Sequence, residues 1–363
     1  MDGNALVLCE GAFDTLNGKT AHGLVRFTNR YKILGVIDST CAGRDAGAVL
    51  DGQPRGIPIY SNLAAALQVN SKQVKYFVIG LAPEGGKLPP SYRAIIVAAI
   101  CAGLNIDSAL HEFLSDDAEF SGLAQKHGVQ IRDIRKPPAK TDLHFFSGKI
   151  NEVESIRLAV LGTDSAIGKR TTAWKITQAL NASGVKAEMI GTGQTAWMQG
   201  AKYGIRLDAI INDYVSGEIE HAIWQCWRDE RPQVMLLEGQ GSLMHPAYPG
   251  GFELIAAGRP HAIILQTAPK RAAYDGFPDF PMTPLEKEIK VIELLANRPA
   301  LALTLNHEHM TDNEIAATVR QYENRFGIPC CDILKHGPAK VINEIAKSFP
   351  RLTYSANNVG SIS

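Results

Sequence analysis

The chain has no surplus of either charge: its 37 lysines and arginines are matched by 37 aspartates and glutamates over 363 residues. A balanced chain has no global field to draw it onto nucleic acid or an anionic membrane, so neither is an expected partner. Any basic site must be local. Long apolar runs are missing too. The longest candidate, residues 94–106, stops between Arg93 and Asp107, short of the ~18 residues a membrane span needs. The first residues carry Asp2 and Glu10 without the basic start and apolar block of a secretory leader, so a cytoplasmic protein is expected. Only six cysteines occur, with no C-x-x-C pair and no metal-ligand spacing. They read as reduced, mostly buried thiols, and no bound metal is expected.

The length suggests two domains, at about 100 to 200 residues each. A basic, proline-bearing stretch with Arg132, Arg135, Lys136, Pro137, Pro138 and Lys140, followed by Ser147 and Gly148, marks the boundary. The expected division is a first domain over 1–140, a linker over 141–156 and a second domain over 157–363. In the first, the apolar runs 33–37 and 76–79 read as buried parallel strands, and helices are expected after Ser61-Asn62 and over 92–102. That alternation gives a Rossmann-like α/β unit. The second alternates more clearly, with strands expected over 158–161, 187–190, 234–237, 262–265 and 301–305, which gives a doubly wound parallel sheet. Within it, Ser216 is expected to cap a helix with Glu218 and Glu220 near its positive end and Ile219, Ala222, Ile223, Cys226 and Trp227 along one face.

The most informative segment is 158–174, L-A-V-L-G-T-D-S-A-I-G-K-R-T-T-A-W. A buried strand, a loop from Gly162 to Gly168, and a helix opening at Lys169 form the context of a phosphate-binding loop. Glycines let backbone N–H groups turn onto an anion, the helix start adds partial positive charge, and the lysine reaches phosphate oxygens. The ligand-holding stretch is Gly162, Thr163, Asp164, Ser165, Ala166, Ile167, Gly168, Lys169, Arg170 and Thr171. It departs from the usual form in two ways. Five residues rather than four separate the glycines, and Arg170 replaces the Ser or Thr whose hydroxyl holds Mg²⁺. Thr171 comes one residue late, rotated by about 100° around the helix. Phosphates held but not cleaved fit such a loop, with Arg170 supplying fixed charge.

The loop resembles that of dethiobiotin synthetase, and residues 234–242 (V-M-L-L-E-G-Q-G-S) resemble the strand and Glu-Gly turn beside it in those enzymes. A wider resemblance runs through 19–26, 35–38, 82–89, 110–114, 131–138, 162–169, 192–195, 237–243, 245–246 and 266–271. These blocks look like a two-domain family long catalogued as of unknown function, with a Rossmann-like N-terminal and a P-loop C-terminal domain. Members with an assigned activity are D-glutamate N-acetyltransferases. The resemblance implies acetyl-CoA as cosubstrate, a small acidic D-amino acid as acceptor, and a homo-oligomer.

Direct acetyl transfer needs a base, donors for the oxyanion and cations for the substrate carboxylates. Glu238, at a strand end where open α/β sheets bind ligands, is the first candidate base, followed by Asp213 and His245. Asp213 reads equally well as a turn cap, and His245, before Pro246, reads more readily as a loop histidine than as a catalyst. Lys270 and Arg271, just past the strand ending at Leu265, could bind carboxylates. Thr192, Gln194 and Thr195 in the G-T-G-Q-T turn could donate to the ligand. Two other readings stay open: an ATP-dependent carboxylate ligase of the dethiobiotin synthetase type, and a nucleotide-binding regulator without catalysis. Arg170 in place of a hydroxyl argues against the first of these.

Overall fold

In the computed structural model, which describes residues 1–70 and 73–352, the chain divides into two compact units. The first comprises Met1–Pro138 together with Gly193–Gly200, and the second the rest of the chain. The boundary thus falls at Pro138. The segment 141–156, expected as a linker, belongs to the second unit.

Strands β1 (Gly3–Leu8), β2 (Tyr31–Ile37), β3 (Ile59–Tyr60), β4 (Tyr76–Ile79), β5 (Asn105–Ser108) and β6 (Ile131–Asp133) form the first sheet. Its order is β3-β2-β1-β4-β5-β6, and every pairing is parallel. Helices α1 (Lys19–Arg26), α2 (Ala46–Asp51), α3 (Leu63–Asn70), α4 (Arg93–Cys101) and α5 (Ala118–His127) make the crossovers. Strand β1 shows why the sheet is covered on both faces. Its residues alternate between two cores, Ala5 and Val7 on one side and Leu6 and Leu8 on the other, as the two-residue period of a strand dictates. A polar cluster links β2, β5 and β6: the Tyr31 hydroxyl donates to Asp107 Oδ2 at 2.5 Å, and Arg132 grips the same buried carboxylate with two bonds of 2.6 Å.

The second sheet has β7 (Ile156–Gly162) at its centre, flanked in the order β15-β14-β11-β7-β10-β8-β9. Its other strands are β8 (Ala187–Gly191), β9 (Tyr203–Gly204), β10 (Val234–Glu238), β11 (Ala262–Thr267), β14 (Ala300–Leu305) and β15 (Cys330–Cys331), all parallel. Strands β12 (Ala273–Tyr274) and β13 (Phe277–Pro281) form a separate hairpin. The helices are α6 (Lys169–Ala182), α7 (Gln194–Gln199, in the first unit), α8 (Asn212–Glu230), α9 (Phe252–Gly258), α10 (Leu285–Ala296), α11 (Asp312–Phe326), α12 (Ile333–His336) and α13 (Ala339–Ser348). Because all strands run the same way, the loops following β7, β8, β10, β11 and β14 gather at one edge, where such sheets bind ligands.

Helix α8 starts four residues before the expected cap, so Ser216 lies inside it. Ile219, Ala222, Ile223 and Cys226 do form its buried face. Glu218 and Glu220 have a different task from the one expected. Glu218 accepts from the His144 backbone and imidazole, and Glu220 from the Ser147 backbone and hydroxyl and the Ile150 N–H. These mid-helix carboxylates bind the segment before β7 onto α8, and a Cβ on Gly217 would lie 2.0 Å from His144 O. The hydrophobic period is readable from sequence, but not the partner segment 70 residues away.

Candidate functional site

All seven residues of β7 are buried, and the chain leaves the strand at Gly162. A Cβ there would meet Lys169 Cδ at 2.8 Å, so glycine is what lets the lysine fold back beneath the loop. Ala166 and Gly168 both take positive φ, 51° and 98°, closing the loop before α6 begins. The first N–H groups of α6 have no preceding turn to bond to and face the loop.

Lys169 is buried, and its Nζ donates to Asp164 O. Burial pulls its pKa down to about 8, against the attraction of Asp164 and Glu238. Asp164 is fully buried: its carboxylate accepts from Ser165 N at 2.7 Å, Arg271 Nη1 at 2.7 Å and Asp275 N at 3.1 Å. Ser165 donates its hydroxyl to Asp275 at 2.8 Å. Thr163 is tied to β11 through Gln266 O and Thr267 Oγ1, and Ile167 O accepts from Asn306 Nδ2 at 3.0 Å. Arg170 and Thr171 are half-buried on the first turn. The next hydroxyl, on Thr172, is committed to Gln266 Oε1 at 2.7 Å.

Glu238 ends β10, beside β7, and Gly239 follows where a Cβ would come within 2.5 Å of Val160 O. Burial raises the Glu238 pKa, opposed by Arg170, the Thr192 N–H and Lys169. Thr192 holds this strand end twice, donating its N–H to Glu238 Oε2 and its hydroxyl to Glu238 O, both at 3.0 Å. Gln240 Nε2 donates to Thr192 O and Oγ1 at 2.7 Å. His245 is also buried. Its Nδ1 accepts from Ala247 N at 3.1 Å and Tyr248 N at 2.9 Å, so the ring proton sits on Nε2, which faces Asp164 Oδ1 at 3.4 Å. Burial lowers its pKa, in keeping with a neutral ring.

The structure therefore gathers 162–172, Thr192, Glu238, His245 and Arg271 at one edge of the second sheet. Arg271 bridges Asp164 and Glu308, and bonds to Ser165 O at 2.9 Å. Lys270 instead forms an exposed pair with Glu314 at 2.6 Å. Asp213 is exposed in the first turn of α8. Gln194 and Thr195 open α7 in the first unit, Thr195 buried and Gln194 half-buried. In that unit, Asp38 stands just past β2, where a dinucleotide fold presents a carboxylate to ribose. Its oxygens are instead filled by the N–H groups of Ala12, Phe13, Thr40 and Cys41.

Sequence reasoning missed Glu288. Its carboxyl is fully buried in the first turn of α10, close to the Ser242 hydroxyl without a completed hydrogen bond, and burial pushes its pKa up to about 7. The available signal was a glutamate on the otherwise apolar stripe Leu285, Ile289, Ile292. His307 and Asp332 were missed as well, since only the adjacency of β14 and β15 brings them together at 2.6 Å. Among the described residues no group of three or more His, Cys, Asp or Glu side chains is placed to hold a metal, and no helix is long and apolar enough to cross a membrane.

A parallel-sheet unit with a lysine-bearing loop after its central strand, accompanied by a Rossmann-like unit, defines a two-domain P-loop protein. Residues 144–342 match the family described as domain of unknown function DUF1611, P-loop domain, and residues 39–137 match its Rossmann-like N-terminal domain. The chain belongs to the DUF1611 family. It is 30% identical over 278 residues to a D-glutamate N-acetyltransferase of Tritonibacter scottomollicae, covering 75% of this chain and 81% of the relative. A D-glutamate N-acetyltransferase of a Pseudoalteromonas species is 29% identical over 274 residues, covering 74% and 80%. A crystal structure of a DUF1611 family protein from Anabaena variabilis superposes with a TM-score of 0.88 at 28% identity, over 95% of this chain and 99% of that one.

Proposed function

We propose that the chain is an N-acetyltransferase that moves the acetyl group of acetyl-CoA to the amine of an acidic D-amino acid, D-glutamate first among them. The observation that carries this reading is a phosphate loop without its metal hydroxyl: Arg170 follows Lys169, and the Thr172 hydroxyl is taken up by Gln266. Coenzyme A brings a diphosphate to be held and none to be split, so cations alone serve. The similarity to two proteins named D-glutamate N-acetyltransferase supports the same chemistry. Lys169, Arg170 and the N–H groups opening α6 would hold the phosphates. Arg271, already neutralised by two carboxylates, keeps the loop in shape through Asp164, and Glu238 balances the two cations. A cytoplasmic, homo-oligomeric enzyme belongs to the same reading.

The test is calorimetric titration with acetyl-CoA and, separately, with ATP and Mg²⁺, followed by a free-thiol assay with D- and L-glutamate. Acetyl-CoA binding with thiol release only in D-glutamate is expected. ATP binding without acetyl-CoA binding would refute the reading and favour ligase chemistry.

A further inference from the structure

The reaction requires a proton acceptor near the thioester carbon, not near the phosphates. In acetyl-CoA the whole pantetheine chain separates the two. Glu238 feels the charges of Lys169 and Arg170, where phosphates would sit. A base is better sought further along the same edge of the sheet.

His307 lies further along that edge. It follows β14, two strands from β7. Its neighbour Asn306 ties this turn to β11 and to the loop, taking Thr267 O at 2.8 Å with its N–H and Ile167 O at 3.0 Å with its amide. The imidazole Nδ1 lies 2.6 Å from Asp332 Oδ2. Asp332 is fully buried, and its other oxygen accepts from Leu334 N and Lys335 N at 2.9 and 3.0 Å. A carboxylate so placed accepts a hydrogen bond from Nδ1–H and leaves the lone pair on Nε2, on a ring that is 33% exposed. The other charged groups nearby are Asp312, Lys335 and His336. An imidazole fixed in tautomer by a buried carboxylate, with its free nitrogen accessible, is the arrangement of a general base.

We propose that His307 is the base for acetyl transfer and that Asp332 is the positioning residue that fixes its tautomer. The inference rests on the acetyltransferase reading above. The acceptor's ammonium gives one proton to His307 Nε2, which passes to solvent. The neutral amine then attacks the thioester carbon, the C–N bond forms and the C–S bond breaks. The second amine proton leaves through His307 and ends on the departing thiolate, so the products are the N-acetyl amino acid, CoA thiol and one proton.

The test begins with the wild-type chain; absence of acetyl-CoA turnover overturns the underlying reading and this inference with it. Given turnover, His307→Asn, whose amide still reaches Asp332, should lower kcat by about 100-fold or more. Acetyl-CoA affinity and the acceptor KM should stay near wild type, and added imidazole should restore turnover to His307→Ala. Asp332→Asn, which keeps an acceptor for Leu334 and Lys335, should lower kcat similarly and displace the acid limb of the kcat–pH profile. Acetyl-CoA and D-glutamate together should slow diethylpyrocarbonate labelling of His307, read by mass spectrometry independently of turnover. Turnover by His307→Asn within fivefold of wild type, or labelling unaffected by the substrates, would overturn the assignment while leaving the acetyltransferase reading intact.

Discussion

Filling the phosphate loop should make the protein take up a proton. In the free chain burial holds Lys169 at about 8 rather than the ordinary 10.5, so at pH 8 about half the molecules carry a neutral amine, and at pH 9 about nine in ten do. Phosphate oxygens against the amine favour its charged form and return it to the ordinary range. Saturation with acetyl-CoA should therefore bind about 0.5 proton per chain at pH 8 and about 0.9 at pH 9, while affinity falls as pH climbs above 8. Calorimetry in pairs of buffers with different ionisation enthalpies measures this number directly. The same shift has a stability side. Between about 8 and 10.5 the unfolded chain binds more protons than the native one, so stability rises with pH through that window and the full cost is present below it. That cost is at most about 3 kcal/mol. Lys169→Met should recover part of it in urea unfolding at pH 7, and should weaken acetyl-CoA binding by about 1.5–3 kcal/mol with loss of a charged hydrogen bond. Absence of proton uptake at pH 9, or uptake that persists in Lys169→Met, would refute the reasoning.

Glu238→Gln, which keeps an acceptor for Thr192 N, should leave acetyl-CoA binding as tight as wild type or tighter, since it removes a negative charge beside the phosphate site, with kcat near wild type; a large fall in kcat at unchanged binding would give Glu238 the role of base. Glu288 should titrate with folding: its carboxyl lies near 7 in the native state against 4.5 ordinarily, so stability falls as pH rises from about 4.5 to 7 and the loss is complete above that. Glu288→Gln should match wild type in urea at pH 4.5 and exceed it at pH 8 by up to about 3 kcal/mol, and equal midpoints at both would contradict the buried unpaired carboxyl. Tyr31→Phe removes the hydroxyl from Asp107 and should cost about 1.5–3 kcal/mol, read as a lower thermal midpoint with activity retained below it.

The phosphate loop was legible because its chemistry is local: strand, glycine, lysine and helix follow one another within 17 residues. The five strands expected in the second unit all form, each within two residues of its expected ends. Of the first sheet only β2 and β4 are expected as strands: β3 and β6 have two and three residues, and β5, as long as β4, is N-I-D-S with a single apolar residue where β4 is Y-F-V-I. Strand β1, with its apolar run Ala5–Leu8, was readable and overlooked. The surroundings of the loop were harder. Arg271 reads as a cation for a substrate carboxylate, yet Asp164 and Glu308 claim it from 107 and 37 residues away. His307 and Asp332 look unrelated until β15 is laid beside β14. Pairings of that kind depend on strand order, which local periodicity does not encode.

The short helix α7 sets a timetable for synthesis. Its Met198 is wholly enclosed in the core beneath β1, and Gln199 donates to Gly23 O and Phe27 O at 2.8 and 3.1 Å. These partners are made some 170 residues earlier. A nascent chain leaving the ribosome cannot finish its first unit when Pro138 emerges; it must wait, with part of that core open, until β7, α6 and β8 have also been made. The first unit is completed by a segment encoded within the second, so the two cannot be cut apart at Pro138 without leaving the first unfinished.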